Sequence, residues 1–212
     1  MKKNNVLSLI IILIAIFVSS FKISVMAKET NSIAKGMVVI EGNSGDVLYS
    51  KNENLELPMA STTKIVTAIV AIENSSDLDE KFVVSEKAIG IEGTSIYLKS
   101  GEKLSLRELL YGLILASGND CAIAIAEHIA GLDNFVVLMN EFASNLGLKH
   151  TNFKNPHGLD EEGHLTTAYD MSLIARELVK HESVLKLTST YEDNISVSGE
   201  NHWLVNTNKV VY

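Results

Sequence analysis

The sequence predicts a mixed α/β chain of the α+β kind: an antiparallel sheet built from strands near both ends, with a helical block inserted between them. Three observations carry this. Short runs rich in β-branched and aromatic residues stand at Met37–Ile40 and Val47–Tyr49, and again at Ile195–Val197 and Trp203–Val205. Between them, apolar residues recur at helical spacing in several consecutive segments. One of these segments, Ile65–Ile72, is apolar on nearly every face, which marks a helix buried within a core.

Composition narrows the function classes. A chain of 212 residues makes one or at most two domains, and a net charge of -8 argues against nucleic acid as a partner. The single cysteine, Cys121, excludes an intrachain disulfide, and the six histidines are dispersed rather than clustered at metal-ligand spacing. No metal and no cofactor is expected.

Taken in order, the chain opens with Lys2 and Lys3, an uncharged apolar run from Val6 to Val18, and Val25-Met26-Ala27 at cleavage-type positions. This is the pattern of a secretory signal peptide over residues 1–27, cut after Ala27. The run is short for a membrane span of about 20 residues, so no membrane anchor is expected beyond it. The remainder, 28–212, is then an exported domain. Asn43-Ser44-Gly45-Asp46 joins the first two strands as a hairpin turn. Phe82–Val84 and Ser95–Leu98 are further extended candidates. Ser105-Leu106-Arg107-Glu108 is a capping box, with Leu104 and Leu109 placed as a hydrophobic staple. The helix it opens breaks at Ala116-Ser117-Gly118-Asn119-Asp120. A second apolar helix follows from Cys121 to Ala130, and a third from Asp133 to about Leu146. Thr151–Gly163 is a loop, and Thr167 with Asp170 suggests another capping box, opening a helix with Met171, Ile174, Ala175 and Leu178 in register.

Chemistry concentrates at Pro58-Met59-Ala60-Ser61-Thr62-Thr63-Lys64. Pro58 ends the extended chain, so Ser61 falls at the start of the buried helix. Lys64 is the lone charge between Ser61 and Ile72 and shares a face with Ser61. A buried ammonium needs a partner or a depressed pKa, and the helix N-terminus disfavours a cation while favouring a developing alkoxide. A serine nucleophile with a lysine base is built this way. Spacing alone says little, because S-x-x-K also occurs at Ser19, Ser32, Ser100 and Ser183. The stretch by itself fits equally an N-capping Ser61 with Lys64 snorkelling to the surface.

Ser117-Gly118-Asn119 forms the second candidate element. A polar trio in a tight break between apolar helices must be hydrogen-bonded or face a cleft. Ser117 could pass a proton to or from Lys64, and the Asn119 amide could hold a substrate carbonyl; alternatively both cap helices. Cys121 and His128 read as packed structural residues, and His157, between Pro156 and Gly158, as part of a shaped loop rather than a general base.

With both elements in place the chain resembles the penicillin-recognising serine enzymes, and most of all the low-molecular-mass penicillin-binding proteins, the serine D-alanyl-D-alanine carboxypeptidases of peptidase family S11. Pro58–Lys64 is similar to that family's nucleophile segment and Ala116–Asp120 to its second motif. Asn155–Leu159, His164–Ala168 and Asn206–Lys209 are similar to its later segments, so the likeness runs from about Met37 to Tyr212. The resemblance implies a β-lactamase/transpeptidase-like fold. It also implies an acyl-enzyme at Ser61 formed on peptidoglycan stem peptides, with Lys64 as base, Ser117 as proton relay and Asn119 as substrate-binding residue. β-Lactam antibiotics would be inhibitors, and the site would work outside the cytoplasmic membrane. One departure accompanies it: no K-T-G or K-S-G follows Asn119. The expectation is therefore an incomplete penicillin-binding domain over 28–212, cut before that strand. A non-catalytic wall-binding homologue and a β-lactamase are the competing readings.

Overall fold

The computed structural model describes residues 32–197 and 200–209. The signal-peptide segment expected over residues 1–27 lies outside them. The helices bury their apolar faces against one another, and the strands form small antiparallel pairs around them. Strands β1 (Met37–Ile40) and β2 (Val47–Lys51) form the expected hairpin. Its turn closes through Glu41 N–H donating to Asp46 O (2.8 Å), while the Glu41 carboxylate accepts from the Asn43 and Ser44 amides. β3 (Leu57–Pro58) leads into a short helical turn, Ala60–Thr62, and directly into α1 (Thr63–Glu73). β4 (Lys81–Val83) pairs with β5 (Lys103–Ser105). Then come α2 (Leu106–Leu115), α3 (Asn119–Ile129), α4 (Leu132–Asn145), β6 (Leu165–Thr166), α5 (Ala168–Leu178), α6 (Glu182–Ser189), and the hairpin β7 (Glu192–Val197) and β8 (Glu200–Val205).

Residues Ala34–Tyr212 make one unit with α1 at its centre. Val66, Thr67, Ala68, Ile69, Val70 and Ala71 are all buried, as an all-round apolar helix requires. α1 packs against α2, α3, α4 and α5. Leu106, Leu109, Leu110 and Leu113 of α2 fill one side, and Phe135 and Met139 of α4 another. The α2–α3 crossing is close because Gly112 has no side chain: a Cβ there would stand 2.6 Å from Cys121 Sγ. Cys121 is thus a buried packing residue, and burial pushes its thiol pKa well up. His128 stacks on Phe82 at 3.6 Å between ring centroids, tying α3 to β4.

The capping box at the head of α2 is complete: Glu108 N–H donates to Ser105 Oγ, and Ser105 N–H donates to the Glu108 carboxylate. At α5 it is half formed. Thr167 Oγ1 accepts from Asp170 N–H, but the Asp170 carboxylate turns away to accept from His150 N–H and Thr151 Oγ1, anchoring the preceding loop instead.

Two expectations need correction. Ser95–Leu98 is not a strand: Tyr97 adopts a left-handed backbone (φ 61°), and the flanking amides bond to a carboxylate rather than to another strand. Among the described residues the strands near the two chain ends do not join into one sheet either. The β1–β2 and β7–β8 hairpins are two of four separate two-stranded sheets (the others are β3–β6 and β4–β5), with β1 packed on α5 and β7 and β8 on α2, so each hairpin packs on a different helix. The mixed α/β character and the antiparallel pairing hold as expected.

Candidate active site

Ser61 reaches its position through a tight reversal. Met59 O accepts from both Thr62 N–H and Thr62 Oγ1, and Ala60 takes φ 46°, a conformation that non-glycine residues rarely hold. The turn leaves Ser61 exposed and buries Thr63 and Lys64 (3% exposed) immediately behind it. Ser61 is therefore not an N-cap, and Lys64 does not snorkel out.

The Lys64 ammonium has three N–H groups, and three acceptors surround it: Asn119 Oδ1 at 2.7 Å, the His157 carbonyl oxygen at 2.6 Å and Ser61 Oγ at 3.2 Å. Two of these acceptors can only accept, whereas a hydroxyl can also donate. When Lys64 loses a proton, its two remaining N–H bonds stay on Asn119 and His157, and its lone pair faces the Ser61 hydroxyl. The arrangement thus selects which bond inverts. Burial pulls the Lys64 pKa down from 10.5 to about 8, opposed in part by Asp120. A neutral amine is then accessible near neutral pH, and it points at the one exposed hydroxyl in reach.

The Asn155–Gly158 loop is held to α1 through its backbone. Thr67 Oγ1 donates to Pro156 O (2.6 Å) and Lys64 to His157 O, while Asn155 Oδ1 accepts from Gly158 N–H. The approach is so close that a Cβ on Gly158 (φ 92°) would lie 2.0 Å from Ala60 O. His157 contributes its carbonyl rather than its ring. Burial and the neighbouring Lys64 hold the imidazole pKa at about 4, and its Nδ1 accepts from Leu159 N–H. His164 completes the support. Its Nδ1 accepts from Lys154 N–H, which places the ring proton on Nε2, and that N–H donates to Thr63 Oγ1 at 2.9 Å.

Asn119 joins three parts of the site. Oδ1 accepts from Lys64, Nδ2 donates to Glu92 O (2.7 Å) and its backbone N–H donates to Thr94 O (2.7 Å). It is a buried bracket (4% exposed) with one amide hydrogen left over, rather than a side chain held out to solvent. Ser117 stands in the α2–α3 break with φ 56°. It shares a cavity of about 220 Å³ with Ser61, Lys64, Thr188, Thr207 and Asn208, yet its hydroxyl makes no hydrogen bond to Ser61 or Lys64 among the described residues. On the other side of Ser61 lies a second depression, lined by Glu92, Gly93, Thr94, Asn119, His157 and Leu159. The nucleophile candidate thus stands on a ridge between two hollows.

All four candidates from the sequence converge here: Ser61, Lys64, Ser117 and Asn119 line one or both hollows. Thr67 and the Glu92–Thr94 wall went unnoticed, and His164 and Asn206–Asn208 were named only within segments similar to the family's, with no role in the site. Thr67 carried a signal, being a polar residue one turn beyond Lys64 on the same buried face. The His164–Thr63 bond carried none, since the two residues are distant in sequence.

A family model for the S11 peptidases, described as D-alanyl-D-alanine carboxypeptidase, matches residues 23–212. The chain belongs to the S11 peptidase family. This S11 chain is 43% identical over 213 residues to the D-alanyl-D-alanine carboxypeptidase DacF of Bacillus subtilis, covering 94% of the chain and 55% of DacF. It is 34% identical over 158 residues to DacA of Escherichia coli K12, covering 69% of the chain and 39% of DacA. It therefore spans only about half the length of the curated relatives it matches. Among solved structures it is similar to the D-alanyl-D-alanine carboxypeptidase of Mycobacterium tuberculosis, with TM-score 0.83, 29% identity, and coverage of 87% of this chain and 70% of that one. It is also similar to penicillin-binding protein 5 of Haemophilus influenzae, with TM-score 0.79, 28% identity, and coverage of 87% and 55%. These likenesses carry the transpeptidase-like fold.

Proposed function

We propose that the chain is a serine D-alanyl-D-alanine carboxypeptidase that works through an acyl-enzyme at Ser61, acting on peptidoglycan stem peptides outside the cytoplasmic membrane and inhibited by β-lactams. The single observation that carries this reading is the buried Lys64 amine, bracketed by two obligate acceptors and aimed at the exposed Ser61 hydroxyl. Ser61 Oγ attacks the carbonyl between the two terminal D-alanines as Lys64 takes its proton. The tetrahedral intermediate collapses, its C–N bond breaks, and D-alanine leaves with a proton returned to its nitrogen. Water then cleaves the ester at Ser61 and releases the trimmed peptide. Ser117 lines the same cavity as Ser61 and Lys64, which supports a part in handing the proton onward, and the family relatives support the substrate class. A β-lactamase needs a carboxylate free to activate the deacylating water. Glu161 accepts from Asn155 Nδ2, whereas Glu92 and Asp160 line the hollow beside Ser61, so fast turnover of a chromogenic β-lactam is the result that would favour a β-lactamase instead.

Intact-protein mass spectrometry of the chain with excess penicillin tests the reading, with Ser61→Ala as control. A stable adduct of one penicillin mass, absent in the variant, is expected. No adduct on a chain folded by circular dichroism would overturn the acylation claim and leave the non-catalytic reading.

A further inference from the structure

Asp120 follows Asn119 directly and is buried to 1% exposure. Its carboxylate accepts from Ser95 Oγ (2.6 Å), from the backbone N–H groups of Ile96 (3.2 Å) and Leu98 (3.0 Å), and from Cys121 N–H (2.9 Å). The Tyr97 N–H donates to Ser95 Oγ. The backbone of residues 95–98 thus wraps an anion in the manner of a nest, and the anion is supplied by the chain itself. The nest has a structural cost. Bringing the amides on both sides of Tyr97 onto one oxygen requires its left-handed conformation, and the ring is left 81% exposed. Immediately before the nest come Glu92, Gly93 and Thr94, which line the hollow beside Ser61. Two of their carbonyls are held by Asn119, whose side-chain oxygen also holds Lys64.

We propose that Asp120 is a positioning residue of the active site: by filling the 95–98 nest it pins the Glu92–Thr94 wall to the turn that carries Asn119, and so keeps the substrate hollow and the Lys64 bracket in register. Asn119 alone would grip the wall at two carbonyls on one edge; Asp120 fixes the segment from its far side. Asp120 is also a charge facing Lys64. The other titratable groups around Lys64 are Cys121, whose thiol burial keeps protonated, and His157, held neutral above pH of about 4. The negative charge of Asp120 therefore favours the ammonium form, and removing it makes the amine easier to deprotonate.

The kinetic arm of the test rests on the carboxypeptidase reading; a second arm does not. In the full chain, Asp120→Asn offers one acceptor oxygen and an NH2 group to a nest whose backbone groups at Ile96, Leu98 and Cys121 are all N–H donors. Amide hydrogen exchange across residues 92–98 should accelerate by at least about tenfold, the weight of one charge-assisted hydrogen bond. Saturation kinetics with a fluorescent penicillin should show the half-saturating concentration raised by about tenfold on the same basis and the acid limb of the pH profile moved to lower pH. Unaltered exchange across 92–98, or a loss of thermal stability with unchanged half-saturation and pH profile, would overturn the proposal. If Asp120→Asn does not fold, Ser95→Ala decides. It removes one donor while keeping the carboxylate, so exchange at 96–98 should quicken and half-saturation rise two- to threefold, roughly the effect of one modest hydrogen bond; no change in either refutes the assignment. Should the wild type itself resist acylation, the serine-enzyme reading fails, and hydrogen exchange alone then rules on Asp120.

Discussion

The depressed pKa of Lys64 makes a quantitative demand on the rate of Ser61 acylation. If the neutral amine is the base, the rate follows its fraction. With a pKa of about 8, that fraction is roughly one-tenth at pH 7 and nine-tenths at pH 9. The rate should thus climb about tenfold between those values and flatten beyond them. An ordinary lysine, titrating at 10.5, would give about a hundredfold rise over the same interval and would still be climbing steeply at pH 9. The sign follows from burial: desolvation penalises the charged form, so activity is gained as pH rises through the lowered value. The perturbation is pH itself, and the assay is stopped-flow acylation by a fluorescent penicillin from pH 6 to about pH 10, with circular dichroism at each point to establish folding. Because His157 titrates near 4, it does not contribute a limb in this range. A profile still rising at pH 10, or a limb centred between about 6 and 7, would refute Lys64 as the titrating base.

Two further substitutions follow from the same geometry. Asn119→Asp places a carboxylate 2.7 Å from the Lys64 nitrogen and should raise the Lys64 pKa, moving the acid limb upward by roughly one to three pH units; an unmoved limb would mean that Asn119 does not bracket the base. Gly158→Ala forces a Cβ to within 2.0 Å of Ala60 O at a backbone φ of 92°. It should cost about 2 to 4 kcal/mol by chemical denaturation and slow acylation by displacing the Ser61 turn; a neutral result would mean the loop rides on the turn without gripping it.

The helices α1 to α5 were legible because each announces itself locally. α1 has its all-round apolar faces, α2 its capping box, and α3 and α4 their apolar registers and terminal glycines. Ser61 and Lys64 were legible because a charge on a buried helix must be accounted for. The structure adds what sequence spacing does not encode. The nest at 95–98 reads as a strand because Ile96 and Leu98 alternate with polar neighbours; only the distant Asp120 carboxylate explains why they fold around it. α6, with its short run and modest apolar content, was overlooked for want of local signal. Asn119 was read as a substrate-binding residue; what its sequence context did not reveal is that its hydrogen bonds also brace the base against the Glu92–Thr94 wall. The partition of strands into separate hairpins depends on which helix each one packs against, a long-range choice that alternation does not specify.

Lys64 and Thr67 seize the Asn155–Gly158 loop by the carbonyls of His157 and Pro156, not by any side chain. The grip does not touch the residue 157 ring, whose Nδ1 accepts from Leu159 N–H within the loop, so a replacement that keeps the backbone path keeps the grip. The His157 position can therefore drift or be redesigned, for instance to retune the rim of the adjoining hollow, while the base stays anchored. The same freedom does not extend to Gly158, where the path itself is written. Adjacent positions of one loop thus stand under opposite constraints, one on shape alone and the other open to chemistry, which makes residue 157 the place to graft new recognition without disturbing the proton-transfer geometry.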